Sequence, residues 1–154
     1  MVSTELLRKH KFFGLLNDAQ LKAVAMISNE VAFDKGVDIL VAEQPADGVF
    51  LLVDGAIELY SVSLDPRRPE LKKEFLVGEI NPGDPFGISA LTEPYSSIAT
   101  VRSSAPCRTI KMDAAALRAL CEVDHDLGYA LMCQVAKSAV ERLAYTQVQL
   151  AAAR

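Results

Sequence analysis

The stretch GDPFGISALTEPYSSIATV, Gly83–Val101, has the outline of a phosphate-binding loop without the positive charge. A Gly-Asp-Pro turn leads into Phe86-Gly87, and Ile88-Ser89-Ala90-Leu91 follows as one short apolar turn. A loop holding Ser96 and Ser97 then runs into Ile98-Ala99-Thr100-Val101, which reads as a strand. The first amides of such a turn lack partners within it and point at any anion placed before them. Gly87, having no β-carbon, allows a close approach. No Lys, Arg or His stands anywhere in the stretch.

Three zones surround this loop. Residues 1–30 are a helical lead. Asn17 is a cap, Gln20 closes a capping box, and Leu16 is placed to staple to Leu21. Leu21, Val24 and Ala25 share one face to about Ser28, and a shorter helix is expected around Thr4–His10. Residues 31–112 are a string of short β-rich runs. Val37–Val41, Phe50–Val53, Ala56–Val62, Phe75–Ile80, Ile98–Ser103 and Arg108–Met112 are separated by Gly-, Pro- and Asp-containing turns. Asp54-Gly55 between two apolar runs predicts a tight hairpin. Leu64–Leu71, with two prolines and two arginines, reads as a solvent loop. The fold class expected is mainly β with flanking helices, a jelly-roll-like β-barrel.

Residues 113–154 are helical. Asp113 caps a short helix over Ala114–Cys121, and Asp124 caps a long one from His125 to about Leu150. That second helix is roughly 40 Å long at ~1.5 Å per residue, longer than one small barrel covers. Tyr129, Met132, Ala136, Ala139, Leu143, Thr146 and Leu150 recur at spacings of three and four, a heptad seam that predicts a homodimer. Leu131 and Val135 supply a second face for the barrel.

Composition excludes several function classes. The chain has 154 residues, 51% hydrophobic and 23% charged, which is the make-up of one globular domain. A net charge of −4 gives no nucleic-acid footprint, and Arg8-Lys9-His10-Lys11 and Arg67-Arg68 read as solvated surface. No run approaches the ~18 apolar residues that cross a membrane. Three cysteines at no metal-ligand spacing, with no leader pattern in MVSTELLRKHKFF, predict a cytoplasmic chain. No metal site is expected from Cys121, His125 and Cys133, which straddle a helix boundary. No nucleophile–base pair is legible, and Gly83–Gly87 matches neither GxGxxG nor a P-loop, so the chain is read as non-enzymatic.

The order of these pieces resembles the cyclic-nucleotide-binding domain family over nearly the whole chain. The resemblance rests on LLRKHKFFGLLNDAQLKAVA, Phe33-Asp34-Lys35-Gly36, Pro45-Ala46-Asp47 with Phe50–Gly55, Ile80–Gly87 and Ala99-Thr100-Val101. It implies a regulatory module whose pocket is made by the Gly87 loop and covered by the long helix. The family pattern places a glutamate after Phe-Gly, for the ribose hydroxyl, and an arginine two residues before Ala-Thr-Val, for the cyclic phosphate. Ile88 and Ser97 stand at those positions here. The family's glycine after Glu43 is also missing.

Each hydrogen bond to a charged group is worth roughly 1.5–3 kcal/mol, so losing both anchors costs about two to four decades of affinity. The resemblance therefore implies a cassette that does not bind cyclic AMP in the usual way. The candidate pocket comprises Phe86, Gly87, Ile88, Ser89, Ala90 and Leu91, then Ser96, Ser97, Ile98, Ala99 and Thr100. Arg142 and Thr146, on the covering helix, either reach into it or lie on the surface. Arg102 alternates to the opposite face of its strand. Ile88 either plugs the pocket or lines one for a less charged ligand. The family's hinge falls at Glu122-Val123-Asp124. The remaining readings are a sensor part of a catabolite-activator-type transcription regulator, whose helix-turn-helix does not follow Arg154, and a ligand-free dimerisation adaptor. Partners beyond a second copy are an unknown small molecule or protein, with neither a membrane nor direct nucleic-acid contact expected.

Overall fold

The computed structural model describes residues 1–65 and 67–153. Helices α1 (Thr4–Arg8) and α2 (Asp18–Met26) open the chain. Ser3 caps α1 by accepting from Leu6 N. Asn17 and Gln20 form the reciprocal capping box expected at α2. Leu7, Leu21 and Val24 turn inward with Phe12 and Phe13, so the lead is part of the core. His10 is drawn in with it and is half-buried, not exposed as its charged neighbours suggested. Burial first, then Lys9, pulls its pKa below the ordinary histidine value.

Among the described residues eight strands follow as two four-stranded antiparallel sheets. The first sheet has β1 (Ser28–Phe33), β8 (Cys107–Asp113), β3 (Gly48–Asp54) and β6 (Pro85–Phe86), in that order. The second has β2 (Asp38–Leu40), β7 (Thr100–Ser103), β4 (Ile57–Asp65) and β5 (Arg68–Ile80). Among the described residues no strand ladder joins the two sheets, so the jelly roll is an open pair and not a closed barrel. Phe50 of β3 stacks on Phe86 of β6, with ring centroids 4.9 Å apart and planes within 7°. That stack lies in the core with Leu51, Leu52, Ile110 and Met112.

Two turn readings need correction. Asp54-Gly55 is not a hairpin: β3 pairs with β8 and β6, and β4 pairs with β5 and β7. The dipeptide is a corner that carries the chain from one sheet to the other. Only Gly55 is left-handed there (φ 112), and a β-carbon on it would lie 2.5 Å from the Pro106 carbonyl oxygen. The true hairpin is β4–β5, which runs through most of Leu64–Leu71, the segment expected to be loop. Pro66 lies outside the described residues. The register holds from Ile57↔Ile80 outward, with a bulge where Leu59↔Gly78 gives way to Tyr60↔Leu76. That bulge leaves Val77 as the extra residue and bends the ribbon.

Helices α3 (Ala114–Val123) and α4 (His125–Ala152) complete the chain. Asp113 and Asp124 cap them as expected, accepting from Ala116 N and Leu127 N. Gln20 of α2 also reaches Asp124 at 3.3 Å, tying the lead to the joint between the last two helices. No helix of the described residues is long and apolar enough to cross a membrane.

Candidate ligand-binding site

A cavity of about 530 Å³ opens between the second sheet, the Gly87 loop and α4. Its floor comes from Leu59 of β4, the bulged stretch Val77-Gly78-Glu79 of β5 and Val101 of β7. One wall is Phe86 with Gly87, Ile88 and Ser89. The facing wall is Ser97-Ile98-Ala99. The roof is α4, which turns Ser138, Arg142 and Tyr145 toward it at helical spacing, with Ala139, Leu143 and Thr146 one position on. The volume is in the range of small-molecule sites, roughly 300–1,000 Å³.

Of the candidate pocket residues, Phe86, Gly87, Ile88, Ser89, Ser97, Ile98, Ala99, Arg142 and Thr146 line this cavity. Four do not. Ala90 is wholly buried, and its carbonyl accepts from Arg118 Nη1 at 2.6 Å. Leu91 packs against the core. Ser96 sits opposite Pro45 in an isolated bridge. Thr100 Oγ1 accepts from Ala42 N at 3.1 Å. Ala90 and Leu91 lie under the loop because the four-residue 3-10 turn over Ile88–Leu91 presents only its first half to the cavity.

Gly87 has a structural duty that the sequence reading assigned to a ligand. It is left-handed (φ 71), and a β-carbon on it would lie 2.8 Å from Gly48 O, against β3. The close approach it permits is that of its own sheet. The hydroxyl of Ser97 donates to Ala99 O at 2.6 Å, so it braces its own loop. Thr146 Oγ1 likewise donates to Arg142 O within α4.

Arg142 is the deciding side chain. It reaches off α4 into the cavity and donates from Nη2 to the carbonyl of Pro85, the first residue of β6. Burial holds its pKa below the ordinary arginine range, opposed by Asp84 and then Glu141. No carboxylate lies within 4 Å of it among the described residues. Of the two positions open to Arg142, the structure has the one at the cavity: a helix 28 residues long folds back over the sheet and carries the guanidinium in. Arg102, by contrast, stays outside, bound to Asp38 at 2.6 Å and Glu74 at 2.8 Å and lying 4.8 Å over the Tyr60 ring.

The floor was missed in the sequence. Leu59, Val77 and Glu79 carry no loop signal, and only the bulge of the β4–β5 ribbon turns them toward α4. The seam is also divided. Tyr129, Met132 and Ala136 are exposed, whereas Ala139, Leu143 and Thr146 double as cavity roof. Leu150 lies beyond the roof, 63% exposed.

Residues 30–124 match the sequence pattern of the cyclic nucleotide-binding domain. A chain described as a cyclic nucleotide-binding protein, from Geobacter metallireducens, is 36% identical, with 93% of this chain and 99% of that one aligned and a TM-score of 0.80. This chain belongs to the cyclic nucleotide-binding domain family. The fold is shared with more distant members. A cyclic nucleotide-binding domain from Methylobacillus flagellatus has a TM-score of 0.77 at 15% identity, covering 98% of this chain and 82% of that one. The sensor domain of the transcriptional regulator DNR from Pseudomonas aeruginosa has a TM-score of 0.69 at 20% identity, covering 88% and 91%.

Proposed function

We propose that this cyclic nucleotide-binding domain is a non-enzymatic sensory module, cytoplasmic and dimeric, that holds a small ligand other than a conventionally bound cyclic nucleotide. The observation that carries this reading is the Arg142–Pro85 bond across an open cavity. A ligand entering there touches the second sheet and α4 at once, so occupancy alters the contact that joins α4 to β6. A switch of this kind needs only that the ligand prefers one setting of α4 over another. The cassette supports the departure from cyclic nucleotides. Ile88 offers no acceptor for a ribose hydroxyl, and Ser97 spends its hydroxyl on Ala99. The open cavity favours a ligand-binding module over a plugged adaptor.

The likeness to the DNR sensor domain supports a second reading, a sensor portion serving a transcription regulator. DNA contact would then come from another segment of the natural chain or from a partner. The length of the natural gene separates the two.

The test is a thermal-shift screen of cyclic AMP, cyclic GMP, cyclic dinucleotides and small metabolites. The sensory reading expects a saturable rise in Tm with a non-nucleotide ligand and none with micromolar cyclic nucleotides. A panel that leaves Tm unmoved throughout contradicts it.

A further inference from the structure

We infer that the cavity selects an apolar-bodied monoanion, a carboxylate in the first instance, with Arg142 of α4 as its charge partner. The inference rests on the sensory reading above and names the ligand class of the same site. Three observations carry it. The wall is apolar at Leu59, Val77, Ile88, Ile98, Val101 and Leu143. Ile98 stands at the loop edge 87% exposed, an apolar lip beside the cavity that gains by covering an apolar ligand body. The interior cation is Arg142, and its recorded bond goes to a neutral carbonyl and not to a carboxylate.

A buried guanidinium of this kind has donors left over. Its planar fork carries five N–H groups, and a carboxylate takes two of them side by side. None of the acids near the cavity lies within 4 Å of that fork among the described residues. Asp84 accepts from Asn81 N at 3.0 Å, and Glu79 and Glu141 are exposed. Their charges instead set the limit on the ligand. The guanidinium attracts an anion, while the carboxylates of Glu79, Asp84 and Glu141 at the rim repel every further negative charge, so a monoanion is favoured over a dianion such as a phosphate monoester. The body of the ligand then replaces water along the sheet floor, where apolar burial contributes about 25 cal/mol per Å². A cyclic phosphodiester also bears one charge, but it brings ribose hydroxyls to a wall where Ile88 cannot accept from them.

The experiment is calorimetric titration of the full chain with octanoate, 3-phenylpropionate and the neutral 3-phenylpropanamide, with cyclic AMP alongside. The acids are expected to saturate one site per chain and the amide to bind at least tenfold more weakly. Arg142→Met is expected to remove that preference, so that acid and amide become equal. Ile88→Glu, which sets a carboxylate in the wall, is expected to weaken the acids at least tenfold even if Arg142→Met proves unstable. Equal binding of acid and amide to the unaltered chain overturns the proposal while leaving an open sensory pocket. Undiminished acid binding in Ile88→Glu overturns it by placing the acid elsewhere. No binding of any acid also overturns it; the sensory reading falls with it only if the wider thermal-shift panel is silent too. Cyclic AMP binding tighter than every acid overturns the ligand class and the departure from cyclic nucleotides together.

Discussion

Arg142 of α4 donates its Nη2 hydrogen to the carbonyl oxygen of Pro85, joining the covering helix to the strand that opens the cassette. The two residues are 57 positions apart, and the bond spans the cavity they both border. It holds a half-buried cation with no carboxylate within 4 Å among the described residues, Asp84 and Glu141 acting on it only from further off. A charge in that setting is costly to bury, and the carbonyl returns part of the cost. Arg142→Met should therefore change the unfolding free energy of the ligand-free chain by less than about 1 kcal/mol, since the two terms oppose. Urea denaturation checks this, and a loss of several kcal/mol would show the arginine to be a structural fastener.

Gly87→Ala should be far more harmful. The new β-carbon meets Gly48 O at 2.8 Å with φ at 71. A left-handed alanine costs about 1 kcal/mol and forced overpacking about 1–3 more, so a loss of about 2–4 kcal/mol is expected. The same urea titration reads it. A near-neutral result would mean that the loop sits further from β3.

Much of the fold could be read from the chain because its signals are local. Asn17 with Gln20, Asp113 and Asp124 each determine a helix start through side-chain bonds three residues away. Strand partners are not local. Asp54-Gly55 has hairpin chemistry, yet Gly55 serves a passage beside Pro106 that only the folded sheet creates. The β4–β5 ribbon was obscured by Asp65-Pro66 and Arg67-Arg68-Pro69, which look like loop composition, although exposed strands tolerate charge. The Gly87 loop was legible by motif, and Arg142 was a candidate only through the family resemblance, with a surface position left open. An arginine on a long helix gives no sign in sequence of whether that helix folds back over a sheet. Likewise, nothing in Leu59 or Val77 announces a cavity floor that depends on a bulge.

Asp124 should give the chain an acid-sensitive joint. Its carboxylate accepts from Leu127 N first and Gln20 second, and these hold its pKa below the ordinary aspartate value. A carboxyl with a depressed folded pKa stabilises fully above its unfolded value of about 4 and loses that contribution as pH falls through the folded pKa. Asp124→Asn keeps a capping oxygen but cannot titrate. The variant should melt with a flatter Tm–pH curve below about pH 4 than the unaltered chain, by circular dichroism. Identical acid limbs in the two proteins would refute the role.

The exposed stretch of α4 predicts self-association. Tyr129 is 74% exposed, and the exposed Ala136 and the partly covered Met132, 36% exposed, continue that face. Sedimentation at micromolar protein should give twice the monomer mass. Ala136→Glu, which places like charges opposite one another across a two-fold seam, should give the monomer mass. A monomeric unaltered chain would end the dimer proposal.

The most direct measurement is calorimetric titration of cyclic AMP into the unaltered chain. With Arg142 as the charge partner proposed above, one of the two family anchors would return from a different element, while Ile88 leaves the other missing. The missing hydrogen bond is worth roughly 1.5–3 kcal/mol, one to two decades of affinity. The account predicts a Kd weaker than about 10 μM, or no saturable heat at all. Saturation at one site per chain with a tighter Kd would contradict it.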